Sequence, residues 1–230
     1  ADVKLLVIDE AHQVEEVASN YLGYEVSNTG LDRYLNTLHN VKAAHGLYYQ
    51  MSYLQPELRD ELKQRVAELR SRAKTLFDAI AEKYPGSSER KRMRQPPQRD
   101  PITLEAMREL VGTMKRVKRE AGEDDKIEVD AALRNAEEMQ TAMECILLQK
   151  RADAVYWLEI DRSAGRLKPE MELIEQPAQK RAPRVSLNMA PLSIADDLDR
   201  TVYRKTGPVA FVSATLSVAG DLAYSCERLG

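Results

Sequence analysis

Cysteine is almost missing from this chain: Cys145 and Cys226 are the two thiols in 230 residues. Two cysteines cannot make a disulfide framework or a four-thiolate metal site. Glycine and proline are also sparse, at ten each, and aromatics make up 6% with a single tryptophan. That balance excludes collagen-like, mucin-like and wholly disordered chains. No apolar run approaches the ~18 residues that a membrane helix requires. The one run near the start, Val3–Ile8, is too short for a signal peptide and passes straight into Asp9-Glu10. The expectation is a soluble protein of a reducing, cytoplasmic compartment, with no membrane partner.

What is present is charge and aliphatic bulk. The chain is 43% hydrophobic and 31% charged, with net charge −3 and a pI near 5.8. Its length suits one large domain or two modest ones, at about 100–200 residues per domain. A chain of this size buries about 70% of its unfolded surface and needs no disulfide or metal to hold a core. The charge is uneven: between Pro85 and Ala121 there are ten Lys or Arg against five acids, so this segment carries +5 and the rest −8. A basic middle on an acidic protein reads as a polyanion-facing surface, or as a solvated loop beside a charged helix face.

Periodicity divides the chain into three. Val3–Ile8 reads as a buried parallel strand, which needs neighbours on both sides. With no start methionine, the chain reads as a piece of something longer. Ala11–Tyr21 and Leu31–His39 read as helices, the second capped by Ser27 or Asn28. The strongest pattern is Leu54, Leu58, Leu62, Val66, Leu69, Ala73, Leu76, Ile80 and Tyr84, a long amphipathic helix ending at Pro85-Gly86. Gly86–Pro101 reads as a loop, and a helix capped by Thr103 should run to about Ala121. Val129 to Leu147 then marks another helix. From Val155 the texture changes: Val155–Ile160, Met171–Ile174, Val185–Met189 and Val209–Ser213 read as strands, with a turn at Ser163-Ala164-Gly165. Leu192–Tyr203 and Val218–Leu229 read as helices. Strand-bearing ends around a helical middle describe an α/β domain with a helical insertion. The expected boundaries are 1–41 and 153–230 for the α/β part and 42–152 for the insertion.

The chemistry-bearing string is Val7-Ile8-Asp9-Glu10-Ala11-His12. A strand that delivers two acids at its C-terminal end matches where open α/β sheets place ligand chemistry. In nucleotide hydrolysis one carboxylate helps hold Mg²⁺, usually through water, and another orients the attacking water. Two acids after a strand also suit a helix start, where negative charge is favoured; the complete string tips the balance towards chemistry.

Asp9-Glu10-Ala11-His12 resembles motif II, the DEAH box, of superfamily 2 helicases, and Val212-Ser213-Ala214-Thr215-Leu216 resembles motif III of the same group. About 200 residues separate the two boxes. That gap resembles the XPD/DinG family of DNA helicases, in which a helical Arch domain lies between motifs II and III. Ser186-Leu187-Asn188-Met189-Ala190-Pro191-Leu192 is similar to bacterial DinG. The resemblance implies a partial RecA-like P-loop NTPase motor domain with an Arch-like insertion, using ATP and Mg²⁺ and acting on single-stranded, forked or duplex DNA in a bacterial, nucleoid-associated setting. By the same resemblance Asp9 would help bind Mg²⁺, Glu10 would orient the hydrolytic water, and His12 would link the nucleotide site to its neighbours. Ser213, Ala214 and Thr215 would couple hydrolysis to movement. Arg90, Lys91, Arg92, Arg94, Lys115, Arg116 and Lys118 would contact phosphates from the Arch.

The departures limit what is implied. No Gly-x-x-x-x-Gly-Lys-Ser/Thr loop occurs, so the phosphate cradle is missing and the chain alone should not hydrolyse ATP. The family's iron–sulfur cysteines would precede Ala1, so the resemblance leaves an iron–sulfur cluster open in a preceding part, and this chain neither supports nor excludes it. His39 and His45 lack ligand spacing and read as loop or interface histidines. Cys145, Met139 and Met143 read as core, and Trp157 as strand packing. Two other functions compete: a non-catalytic helical DNA- or protein-binding module, and a nucleotide-dependent protein remodeller using the same acid pair.

Overall fold

The computed structural model describes residues 4–85, 89–96, 101–162, 182–216 and 221–230. The chain is mixed α/β. Its strands are β1 (Leu6–Ile8), β2 (Tyr24–Ser27), β3 (Glu89–Arg92), β4 (Ala154–Asp161), β5 (Arg184–Pro191) and β6 (Val209–Phe211). Its α-helices are α1 (Val14–Leu22), α2 (Asn28–Leu38), α3 (Leu47–Gln50), α4 (Pro56–Lys83), α5 (Pro101–Glu120), α6 (Lys126–Leu148), α7 (Ala195–Leu198) and α8 (Ala223–Leu229). The expected strand at Met171–Ile174 and turn at Ser163–Gly165 lie outside the described residues.

Two compact units emerge. One is drawn from Ala1–Tyr24, Arg151–Val155 and Met189–Gly230, the other from Glu25–Lys150 and Tyr156–Asn188. These differ from the boundaries expected at 41/42 and 152/153. Helix α2 belongs with the helical unit because Leu31, Tyr34, Leu35 and Leu38 are buried there, with the Tyr34 hydroxyl donating to the Ala132 carbonyl at 3.0 Å. Burial pushes the Tyr34 phenol pKa up.

The helical unit follows from its apolar stripes. On α4, Leu58, Leu62, Val66, Leu69, Ala73, Leu76 and Ile80 are all buried, and its 28 residues span about 42 Å at 1.5 Å per residue. Pro56 opens the helix, where its missing N–H costs nothing. Ion pairs give the helix directions. Arg65 meets Glu109 at 2.7 Å while Arg116 meets Glu61, so α5 runs antiparallel to α4. Arg108–Glu144 and Lys118–Asp130, both at 2.9 Å, set α6 antiparallel to α5. Thr103 is not a cap: α5 begins at Pro101 and Thr103 is fully buried within it. A threonine ahead of an apolar run carries the same signal at a cap and in a first turn.

Glu89–Arg92, expected as part of a loop, is a strand. It pairs antiparallel with β4, Arg90 opposite Glu159 and Arg92 opposite Trp157. Four consecutive charged residues show no apolar alternation, so the strand is invisible to periodicity. Among the described residues it stands at the end of the sheet ordered β2-β5-β4-β3, where charged side chains are favoured because they discourage further pairing. Along β4, Tyr156, Leu158 and Ile160 are buried in strict alternation.

In the other unit β1 pairs parallel with β6: Leu6 opposite Val209, Val7 opposite Ala210, Ile8 opposite Phe211. Strand β1 is not the buried strand expected, since Val7 is 56% exposed and β6 is its one neighbour among the described residues. Strand β6 ends at Phe211 rather than Ser213. Ile194, Leu198 and Leu229 form the core, with Val14, Ala18, Leu22, Val202 and Phe211 against them. The helix expected over Leu192–Tyr203 is shorter and changes at Asp199 to a π-helical turn reaching Tyr203.

One ion cluster gives a stability prediction. Glu144 lies between Lys150 and Arg108 (Nε at 2.9 Å), and Lys150, then Gln140 and Arg108, hold its carboxyl down to about 2. A depressed carboxylate stabilises above its unfolded pKa, and that stability is lost as pH falls from about 4.5 towards 2. Both cations are about half exposed, so Glu144→Gln should cost about 1–2 kcal/mol at pH 7 and almost nothing at pH 2. Urea unfolding at the two pH values checks this; an equal loss at both rejects the ion cluster as the cause.

Candidate functional site

Parallel pairing brings the two chemistry-bearing segments together. Because β1 and β6 run the same way, their C-terminal ends leave the sheet on the same side. Backbone hydrogen bonds continue the pairing: Val212 N donates to the Ile8 carbonyl at 2.9 Å and Ala11 N to the Val212 carbonyl at 3.0 Å. Between those anchors the chain turns at Glu10, whose φ of 51° and ψ of 43° are left-handed. That conformation costs a non-glycine residue about 1 kcal/mol. The Asp9 carboxylate accepts from the Glu10 N–H at 2.9 Å and helps hold the turn. A short 3₁₀ turn, Ala11–Gln13, follows, with Ala11 buried as its anchor. Asp9, Glu10 and His12 thus stand at the surface while their backbone is fixed.

His12 Nδ1 lies 2.9 Å from Ser213 Oγ and 3.3 Å from Glu10 Oε2. An ionised carboxylate only accepts, so the Glu10 contact is attractive when Nδ1 carries the proton. Ser213 Oγ then accepts from His12 and, at 3.4 Å, from Thr215 N–H, which leaves its own hydrogen free to donate. Ser213 is half-buried; Ala214 and Thr215 are exposed. One chain of contacts therefore runs from Glu10 through His12 and Ser213 to Thr215.

Beside this chain lies a depression of about 160 Å³ lined by Ala11, His12, Glu15, Thr215, Ser225 and Arg228 among others. It is smaller than the roughly 300–1,000 Å³ of a typical ligand pocket, so it suits a side chain or a few waters rather than a nucleotide. An Arg228–Glu15 ion pair borders it, and Ser225 Oγ donates to the Leu216 carbonyl at 2.5 Å. Sequence reasoning missed Glu15, Ser225 and Arg228, which carry no motif and meet the site through the fold of α1 and α8.

No family model matches the chain, and no curated protein matches it. Nor is there a group of three or more His, Cys, Asp or Glu able to hold a metal among the described residues. Asp9 offers a hard oxygen, the donor that a water-mediated Mg²⁺ takes when phosphates supply the other ligands.

The basic residues do not form one patch. Arg90 pairs with Glu159 at 2.6 Å and lies 5.5 Å over the Trp157 ring. Lys91 lies 5.3 Å over Tyr84. As neighbours along a strand, Arg90 and Arg92 share one face and Lys91 takes the other. Arg92 and Arg94 are exposed. On α5, Lys115 meets Glu137 and Lys118 meets Asp130, both at 2.9 Å, whereas Arg116 turns to Glu61. These three are rungs between helices, a use of lysine and arginine that net charge along a sequence cannot distinguish from phosphate binding. Among the remaining residues, Cys145 is buried as expected, and His39 is buried against Tyr48 and Tyr49.

Proposed function

We propose that this chain is part of an ATP-dependent DNA helicase, in which hydrolysis at a RecA-like motor domain drives movement along single-stranded DNA and opens forked or duplex DNA. The observation that carries the reading is the His12–Ser213 contact, which joins segments 201 residues apart. A hydrolytic motor needs such a joint, because the group that senses the reacting phosphate must be linked to an element that changes with it.

Each side chain then has a task. Asp9 would hold a Mg²⁺ through water, and the ion would supply charge stabilisation at the phosphates of bound ATP. Glu10 orients the attacking water by accepting its hydrogen. His12, shared between Glu10 and Ser213, transmits a shift of the carboxylate to Ser213, Ala214 and Thr215. Without a Gly-x-x-x-x-Gly-Lys-Ser/Thr loop in the chain, turnover is expected of the intact protein only.

The test is a double-mutant cycle on the intact protein with His12→Ala and Ser213→Ala. Each single variant should lower unwinding about tenfold while ATPase without DNA changes less than about threefold, and the double should be no worse than either single, a coupling of about 1.4 kcal/mol. Fully multiplicative losses would remove the joint. ATPase indifferent to DNA would move the assignment to protein remodelling. A second reading, a non-catalytic DNA- or protein-binding module, is favoured by the helical unit's own continuous core, and it requires no ATPase in the intact protein.

A further inference from the structure

We propose that Ser225 and Arg228 of α8 are positioning residues for segment 213–216, and that they close a ring of contacts through which the nucleotide site moves α8. The inference rests on the motor reading and deepens it by naming the element that the coupling segment drives.

Side chains hold segment 213–216 at both ends. At its start the Ser213 hydroxyl lies 2.9 Å from His12 Nδ1. At its end the Leu216 carbonyl accepts from Ser225 Oγ at 2.5 Å. A serine inside a helix ordinarily returns its hydroxyl to its own backbone one turn back. Ser225 instead donates to a residue nine positions earlier, outside α8. Its hydroxyl therefore serves the segment rather than the helix.

Arg228 closes the ring. It lies one turn beyond Ser225, on the same face of α8, and pairs with Glu15 of α1. Glu15 in turn follows His12 by three residues. The pair joins residues 213 positions apart, so the fold alone makes it. Each charge stands where its own helix favours it, Glu15 in the first turn of α1 and Arg228 in the last turn of α8. Their side chains are 32% and 36% exposed, and a partly buried pair is screened less than one in open water.

His12, Glu15, Thr215, Ser225 and Arg228 line one depression of about 160 Å³. Side chains that border open space can shift without displacing packed neighbours, which core residues cannot do. The far end of α8 is anchored. Leu229 is buried against Ile194 and Leu198, and its carbonyl accepts from the Tyr203 hydroxyl at 2.5 Å. A helix fixed at one end and tied to a moving segment near the other converts a shift of that segment into a tilt. Because the contacts form a ring, a shift at His12 reaches α8 from two sides, through Leu216 and through Glu15.

DNA stimulation of ATPase in the intact protein, the ratio of turnover with and without oligo(dT), tests the ring. Ser225→Ala and Arg228→Gln should each lower the ratio about fivefold, the size of one lost hydrogen bond. Ser225→Thr keeps the hydroxyl and should restore the ratio. Glu227→Gln, at an exposed neighbour on α8, should leave it unchanged. Added to Ser213→Ala, Ser225→Ala should cause no further loss, because both break the same linkage. Equal losses with and without DNA, or losses that multiply with Ser213→Ala, would reduce both residues to packing and overturn the ring. An unchanged ratio would also overturn it and leave the motor reading intact. A parent protein whose ATPase ignores oligo(dT) overturns both, before any variant is made.

Discussion

Glu10→Gln in the intact protein is expected to lower ATP turnover by about 10²–10⁴-fold, the range for loss of a positioned proton-accepting group. Nucleotide affinity should stay within about twofold, because Asp9, the residue suited to the metal, is untouched. The substitution is informative here because it preserves shape. The introduced amide would keep an oxygen able to accept from His12 Nδ1, now 3.3 Å from Glu10 Oε2, so the His12–Ser213 joint survives. What disappears is the negative charge that orients water. Glu16→Gln is the matched control, an exposed acid in the first turn of α1. Steady-state phosphate release and equilibrium nucleotide binding, measured on the same preparations, separate the two effects. Near-normal turnover in the Glu10 variant would remove that residue from the mechanism.

Gly46→Ala should destabilise the protein by about 3 kcal/mol, the sum of an unfavourable backbone region and a steric clash. Gly46 has φ of 115° and ψ of 172°, a region open to glycine alone. A Cβ there would lie 2.8 Å from the Thr37 carbonyl oxygen and 2.9 Å from the Leu38 carbonyl. These are backbone atoms of the buried end of α2 and cannot rotate away. The same substitution at Gly112 should have the opposite sign. Gly112 lies inside α5 with nothing within 4 Å of an added Cβ, so alanine there should stabilise by about 1 kcal/mol through helix propensity. Urea midpoints for the two variants, measured side by side, decide it. Equal small effects would mean that the loop after α2 relaxes around the added methyl group.

The long helices and the two chemistry-bearing segments are legible in the sequence without any fold. Helix α4 is the clearest case, because Leu62, Val66, Leu69, Ala73 and Leu76 repeat at the helical period, and a repeat over 28 residues survives any tertiary context. The Asp9-Glu10-Ala11-His12 and Ser213-Ala214-Thr215 strings stand out as local patterns of residue type. Whatever depends on which residues face each other is set by folding. The sequence does not say that β1 and β6 are parallel neighbours, so it cannot join His12 to Ser213. Nor does it reveal that Glu89–Arg92 forms an edge strand, because pairing with β4 replaces the missing apolar alternation. The fate of the basic residues follows the same rule. Lys115, Arg116 and Lys118 lie within one turn of α5, yet the helix rotates them to Glu137, Glu61 and Asp130 on two different partners. Lys42, Lys63 and Arg70, scattered along the sequence and unremarkable there, share one groove. Periodicity is a local property written along the chain, whereas charge acts through space, and the fold sets the distances.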